Sequence, residues 1–235
     1  MGAQGRDYST EEKLGDLEQL FGLPYWRAIT DGFVDLSAPS TRKGLALLAA
    51  VMFLRNPARL KHTADLPAHL RTEFSKTVAP PEAVQCGGRR IELDPMDWND
   101  FRIGGEDFIK RIWLRQIDGA QELARIFLEM RWSMHATQLP IFITSDDPVV
   151  AIHQDLVFRG FRNPGTSVIF PLSPTRVLHL DWRRDHDDGG YYQSVETFPA
   201  INFILWRNCI DCMFSQRHPN EVCAEIIAHA DAQAA

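Results

Sequence analysis

The chain has 235 residues, of which 45% are hydrophobic, so it can bury a core of the size that one domain usually holds. Its 31 acidic and 25 basic residues give a formal net charge of −6, which gives no support to nucleic-acid binding through overall charge. We therefore predict a single domain over residues 1–235, mainly helical over residues 8–136 and mainly β over residues 137–231.

The sequence shows no membrane segment. The apolar run Gly44 to Leu54 has eleven residues, whereas a helix that crosses a bilayer needs about twenty. Residues 1–10 are small and polar and lack the apolar centre of a signal peptide. Four unevenly spaced cysteines fit reduced thiols better than a disulfide framework. These features predict a cytoplasmic protein without a membrane partner.

The first half of the chain has the apolar spacing of helices. Residues 11–21 predict an amphipathic helix, and Pro24 is placed to begin a second one. A third helix is predicted over residues 41–55, and because it is apolar on nearly every side it should be central.

Two charged residues of these helices are candidate site residues. Glu18 lies beside the apolar stripe of the first helix, where it is either a rim carboxylate paired with a base or a supporting carboxylate of a site. Arg55 ends the third helix, where it either interacts with the helix dipole or binds an anionic group through both arms of its guanidinium.

The middle of the chain begins with a polar stretch and continues as a second helical region. Residues 61–85 and the turn at residues 86–90 are the most loop-like part. Apolar residues from 106 to 136 predict a long helix, or a pair divided at Gly119. His135, at the end of this helix, has either a structural or a catalytic role beside the turn that follows.

After residue 140 the pattern changes to short strands, over residues 141–144, 149–153, 167–170, 176–182 and 191–195. Their connections are too short for crossover helices, so a mainly antiparallel sheet is expected. A helix over residues 200–208, a strand over 213–215 and a helix over 220–230 follow. The predicted fold class is α+β, with an N-terminal helical half packed on a C-terminal, mainly antiparallel sheet with closing helices.

The turn Ser145-Asp146-Asp147-Pro148 is the best local cluster of chemical groups. Turn chemistry alone explains it, because Ser and Asp side chains bond to nearby backbone amides and Pro148 fixes the backbone. The functional interpretation is that Asp146 and Asp147, with a third carboxylate from Glu18 or Asp181, bind a divalent cation or carry out acid–base catalysis.

Cysteine and histidine near the C-terminus form a second candidate, which consists of Cys209, Cys212, His218 and Cys223. Four such ligands in fifteen residues could bind zinc, but the apolar flanks favour structural thiols. His186 lies in a predicted solvated turn. The sequence has no dinucleotide-binding glycine motif, no phosphate-binding loop and no serine-hydrolase elbow.

Several of these segments together resemble a known family. The stretches Phe142 to Val149 (FITSDDPV), Phe170 to Pro174 (FPLSP) and Phe53 to Pro57 (FLRNP), with the Trp132 segment, are similar to the bacterial family called domain of unknown function 4238. The similarity covers about residues 14–214 and includes a Glu at position 18.

Two features depart from the family pattern. Family members usually begin with a His-x-x-Pro strand, and no such segment precedes Tyr8 here. Members often have Asn where this chain has Asp147. The resemblance implies no settled activity, substrate or cofactor.

Two functions from different classes are predicted. The first is a hydrolase acting on a phosphate-containing or otherwise anionic substrate. Its catalytic groups would be Asp146, Asp147 and Glu18, its substrate-binding groups Arg55 and Ser145, and its cofactor a divalent cation. The alternative is a noncatalytic binding or interaction module whose polar cluster is structural. The enzyme interpretation requires Glu18, Arg55 and Asp146 to surround one open pocket.

Overall fold

The computed structural model describes residues 22–56, 83–86, 89–92, 119–153, 160–193 and 198–234, together with Gly15 and Gln19. The chain divides into two compact units, the first formed by Met1–Leu54 with Gly119–Ala235 and the second by Arg55–Asp118. The single domain over residues 1–235 stays a prediction.

The first unit contains helices α1 (Leu23–Thr30) and α2 (Pro39–Leu54), then α3 (Ala120–Glu129) and the strands β3 (Arg131–Ala136), β4 (Thr144–Ser145), β5 (Val150–His153), β6 (Thr166–Ser173), β7 (Arg176–Asp181) and β8 (Gly190–Gln193), and finally α4 (Phe198–Arg207), β9 (Met213–Phe214) and α5 (Pro219–Ala234). The second unit contributes the hairpin strands β1 (Ala83–Cys86) and β2 (Arg89–Glu92), which pair antiparallel around the predicted turn.

A five-stranded sheet in the order β5-β6-β7-β3-β8 forms the centre of the first unit. All neighbouring strands are antiparallel except β3 and β8, which are parallel. The α+β class and the mainly antiparallel sheet are therefore confirmed. Helix α2 begins two residues before its predicted start and contributes the buried Leu45 and Phe53 to the core.

The prediction of a helix through residue 136 was wrong. Helix α3 ends at Glu129, and Arg131–Ala136 is a strand with β7 on one side and β8 on the other. Met130 and Met134 are four residues apart, a spacing that fits a helix and a strand equally well. Hydrogen bonds to the two neighbouring strands, β7 and β8, make this segment a strand. The indole N–H of Trp132 also donates to the carbonyl of Phe127 at 2.9 Å.

Each face of the sheet has its own hydrophobic core. One face carries Trp132 and Leu180 and packs against α1, α2 and α3 through residues such as Ile29 and Phe127. The other face, over β5, β6 and part of β7, packs against residues 141–143, α4 and α5. Burial of each large apolar side chain stabilises the fold by about 1.5–3 kcal/mol. The sheet, with a core on each face, is therefore a stable support for the polar side chains of its strands.

The predicted strand at residues 141–144 is only partly present. Thr144–Ser145 pairs with Met213–Phe214 as a two-stranded ribbon, which agrees with the predicted strand at 213–215. Before the ribbon, Asn202 of α4 takes the place of a neighbouring strand. Its side chain accepts from Ile143 N at 3.2 Å and donates to Ile141 O at 2.9 Å. This buried amide satisfies backbone groups that would otherwise be unpaired.

A charged contact joins helix α2 to the start of β3. Arg42 bonds to Asp188 and to the carbonyl of Met130, and its guanidinium lies 5.0 Å from the centre of the Trp132 ring. Asp188 precedes Gly189, whose φ of 81° favours glycine. The turn at residues 184–189 is therefore anchored at its end, whereas His186 within it is exposed.

In the part of the chain that the structure describes, no helix combines the length and the apolar character that crossing a membrane requires.

Candidate functional site

The side-chain hydrogen bonds of Ser145 stay inside the predicted turn. Its hydroxyl accepts from the backbone N–H of Asp147 at 3.2 Å and donates to the carbonyl of Asp147 at 3.0 Å. The side chain is buried. Ser145 is thus used by the turn itself, as the local sequence chemistry indicates.

Asp146 holds the loop that follows helix α4. Its Oδ1 accepts from the backbone N–H of Ile210 at 3.0 Å, and its Oδ2 accepts from those of Asp211 at 2.7 Å and Cys212 at 3.1 Å. The backbone N–H of Asp146 also donates to the carbonyl of Cys212 at 3.0 Å. The Cys209 thiol is a longer contact, at 3.7 Å from Oδ1. Both carboxylate oxygens therefore have backbone donors.

The same contacts hold Asp146 in its charged form. Partial burial acts to raise the pKa of its carboxyl group, but the three backbone N–H donors outweigh burial and leave the pKa below its ordinary value. A carboxylate with a low pKa that is already bonded on both oxygens is a poor general base. The arrangement is typical of a structural anchor between β4 and the 209–212 loop.

Asp146→Ala is expected to lower the free energy of unfolding by about 2 kcal/mol. Hydrogen bonds to a charged acceptor contribute about 1.5–3 kcal/mol each, but these three donors are near the surface and water would replace part of the loss. Urea denaturation measures the change. Asp211→Ala is the matched control, because it keeps the backbone N–H and removes an exposed side chain, and it should change stability by less than about 0.5 kcal/mol. Equal losses in both variants would contradict the anchor.

Whether the remaining predicted site residues meet Asp146 stays a prediction. Glu18 lies outside the described residues, and the exposed Arg55 belongs to the second unit. Asp181, the alternative third carboxylate, is paired with Arg131. Ser145, Asp146 and the half-buried Asp147 are together through their positions in one turn. The pocket of Glu18, Arg55 and Asp146 stays a prediction.

An open cleft lies directly beside this turn. It has a volume of about 310 Å³ and is lined by residues 142–144, 171–174 and 214–216. This volume is at the lower end of the range of about 300–1,000 Å³ for small-molecule pockets. The backbone N–H of Phe142 donates to the carbonyl of Pro174 at 2.9 Å and joins two of its walls. Both stretches were noted in the sequence, the first for its acidic turn and the second for its resemblance to the family pattern.

The cleft walls are uncharged. Phe142, Ile143 and Leu172 of the buried core lie behind the cleft surface, and the exposed Phe214 stands at the side of the ribbon. The polar side chains among the lining residues are Thr144, Ser173, Ser215 and Gln216. None of the lining residues is ionisable, so the cleft offers hydrogen bonds without a formal charge.

A second polar cluster crosses strands β7, β3 and β8. Arg131 lies opposite Asp181 and donates to it from Nε at 2.8 Å and from Nη2 at 2.5 Å. Ser133 lies opposite His179, and His135 lies beside Tyr192 of β8. Residues opposite each other on neighbouring strands share one face of a sheet. This cluster was not predicted from the sequence, because residues 131–136 were assigned to a helix and not to a strand.

The two histidines of this cluster are close to each other. The ring centres of His135 and His179 are 5.6 Å apart, and that of Tyr192 is 6.1 Å from His135. Burial lowers the pKa of His179 to about 4, with His135 and Arg131 acting in the same direction and Asp181 opposing them. Burial and the charge of Arg131 also lower the pKa of His135. Both imidazoles are therefore neutral at pH 7.

The cysteines and histidine that were considered as zinc ligands are not gathered around one point in the described part of the chain. Cys212 and Cys223 are exposed free thiols, and Cys209 is a half-buried one whose pKa is raised by burial and by the charge of Asp146. His218 Nδ1 accepts from the backbone N–H of Asn220 at 3.2 Å. Over the described ranges of the chain, no group of three or more His, Cys, Asp and Glu side chains is arranged to hold a metal ion.

The fold and these sites define an α+β protein with an uncharged cleft beside a carboxylate-anchored turn. Residues 2–219 match the family model described as "Protein of unknown function (DUF4238)", so the chain belongs to this family, and the resemblance seen in the sequence is confirmed. No curated protein and no solved structure matches the chain.

Proposed function

We propose that this chain is a noncatalytic binding protein whose cleft accepts a small, uncharged and mainly apolar ligand. The observation that carries this proposal is the chemistry of the cleft walls, which combine apolar side chains with hydroxyl and amide groups and contain no ionisable side chain. Ligand pockets of this kind obtain affinity from apolar contact and orientation from a few polar groups.

The role of Asp146 also supports a noncatalytic turn. Three backbone donors and a low pKa make its carboxylate an anchor for the 209–212 loop. A hydrolase for phosphate-containing substrates would need positive charge or a metal ion near the substrate anion. The cleft lining supplies no basic side chain. The predicted hydrolase therefore has less support than the binding protein, and it stays a prediction.

A thermal-shift panel separates the two functions. The panel contains uncharged aromatic and aliphatic fragments, inorganic phosphate, and nucleoside monophosphates with and without Mg²⁺. At ten times its dissociation constant, a ligand stabilises the native state by about 1.4 kcal/mol, which raises the Tm of a protein of this size by roughly 3–6 °C. We expect such shifts from uncharged fragments only.

Blocking the cleft provides the matched comparison. Gln216→Trp places a large side chain at an exposed position of the cleft wall and should abolish the fragment-induced shift. Gln193→Trp adds the same side chain at an exposed position on β8, outside the cleft lining, and should leave the shift unchanged. If only phosphates with Mg²⁺ stabilise the protein, and Asp146→Asn removes their effect, the hydrolase would be favoured instead.

A cytoplasmic location is part of the same proposal. Cys209, Cys212 and Cys223 are free thiols, which fits a reducing compartment.

A further inference from the structure

Arg176, at the start of β7, is a buried arginine that has no acidic partner among the described residues. The residue is only 7% exposed. Its Nη1 donates to the backbone carbonyls of Thr137 at 3.0 Å and Thr175 at 2.9 Å. These two bonds connect the end of β3 to the turn before β7 and hold the guanidinium in one orientation.

The other edge of this guanidinium, formed by Nε and Nη2, makes no hydrogen bond in the part of the chain that the structure describes. Nε is buried without a partner, and both hydrogen bonds of Arg176 come from Nη1. The Nε–Nη2 edge presents two parallel N–H groups that match the two oxygens of a carboxylate. In Arg131 the same edge binds Asp181. Because a buried cation without a counter-charge is costly, an anion bound here would be stabilising.

The surface beside this guanidinium is apolar and partly aromatic. Its Cζ lies 5.6 Å from the centre of the Phe33 ring, which also contacts the ring of Tyr191 at 4.9 Å. Phe33 is 77% exposed, so its ring can turn aside without disturbing the core. Leu139, two residues after Thr137, is 67% exposed. A ligand that reaches Arg176 therefore meets apolar side chains as well as a positive charge.

We propose that Arg176 and Phe33 bind a small organic carboxylate that carries an apolar or aromatic group. The carboxylate bonds to Nε and Nη2 of Arg176, and the apolar part lies against Phe33. One guanidinium matches the single charge of a carboxylate, whereas a phosphate group carries up to two charges at pH 7. This site is separate from the uncharged cleft, because neither Arg176 nor Phe33 is among the cleft-lining residues.

The test is an NMR titration of the full-length protein with phenylacetate at pH 7, followed by the signals of the Arg176 Nε–H and the Phe33 backbone N–H. Both signals are expected to shift with one dissociation constant. Phenylacetamide, the neutral analogue of the same shape, should bind there at least about tenfold more weakly, because charge-assisted hydrogen bonds are the stronger ones. Arg176→Lys should cause a similar loss, because an ammonium group cannot present two parallel N–H groups.

Exposed positions provide matched controls. Phe33→Ala should weaken binding by about threefold or more, whereas Phe214→Ala, at an exposed position in the cleft wall, and Arg125→Lys, at an exposed arginine of α3, should leave it unchanged. The proposal is overturned if the wild-type signals do not move, if phenylacetamide or inorganic phosphate binds there as tightly as phenylacetate, or if Arg176→Lys binds normally. Should Arg176→Lys not fold, the comparison of ligands on the wild type and the effect of Phe33→Ala decide.

Discussion

Arg131→Met is expected to lower the free energy of unfolding by about 3–5 kcal/mol, because it leaves the buried carboxylate of Asp181 without its charged partner. The side chains of Arg131 and Asp181 are only 6% and 5% exposed. Within the part of the chain that the structure describes, two of the three hydrogen bonds to this carboxylate come from Arg131, and the third, from the backbone N–H of Arg183 at 3.0 Å, cannot neutralise it. Chemical denaturation at pH 7 measures the loss.

The double variant Arg131→Met with Asp181→Leu separates an unpaired charge from lost packing. It should be more stable than Arg131→Met alone, because neither charge then has to be removed from water. Arg125→Met, which removes an exposed arginine paired with Glu122 on α3, should cost less than about 1 kcal/mol. A double variant that loses at least as much as the single one would show that packing of the arginine stem, not charge, is decisive.

The second large effect is a loss of stability in acid through His179. Its pKa is about 4 in the folded protein and about 6.5 in the unfolded chain. Between these values the unfolded state binds more protons, so stability falls as the pH decreases from about 6.5 to 4. A difference of about 2.5 pKa units corresponds to about 3 kcal/mol at 1.36 kcal/mol per unit. The lowered pKa of His135 acts in the same direction.

Denaturation curves at pH 7, 6 and 5 in the presence of EDTA test this dependence. His179→Gln should remove most of the slope between pH 6.5 and 5, whereas His186→Gln, in the exposed turn, should keep the wild-type slope. The pKa of Asp181 is lowered despite its burial, because Arg131 bonds to it, so the stability from its pairing is lost only in stronger acid. Parallel slopes for the wild type and His179→Gln would contradict the prediction.

The features predicted correctly from the sequence were those with local causes. The short strands after residue 140, the turn chemistry of Ser145 and the apolar helix α2 follow from neighbouring residues. Strand β3 was missed because its pairing with β7 and β8 involves residues about 40–60 positions away, which a local apolar period cannot show. The partners of Asp146 are likewise 64 to 66 positions along the chain.

In the candidate sites, too, local features were predicted and contacts between distant residues were not. Sequence analysis selected Ser145, Asp146 and Asp147 because acids and hydroxyls at a strand end often carry chemistry, but three distant backbone amides use the carboxylate of Asp146. The pair of His135 and His179 was not predicted because it exists only across two strands, one of which had been assigned to a helix. An error in strand assignment therefore hides side chains that are neighbours in the folded protein.

The anchoring of Asp146 by the 210–212 amides determines where a minimal fragment of this protein can stop. A fragment truncated at residue 208 would retain β4 but lose, in a single cut, the donors of Asp146, the β9 half of the ribbon and one wall of the cleft. A fragment intended for ligand screening should therefore extend past residue 216, even though the five-stranded sheet is complete at Gln193.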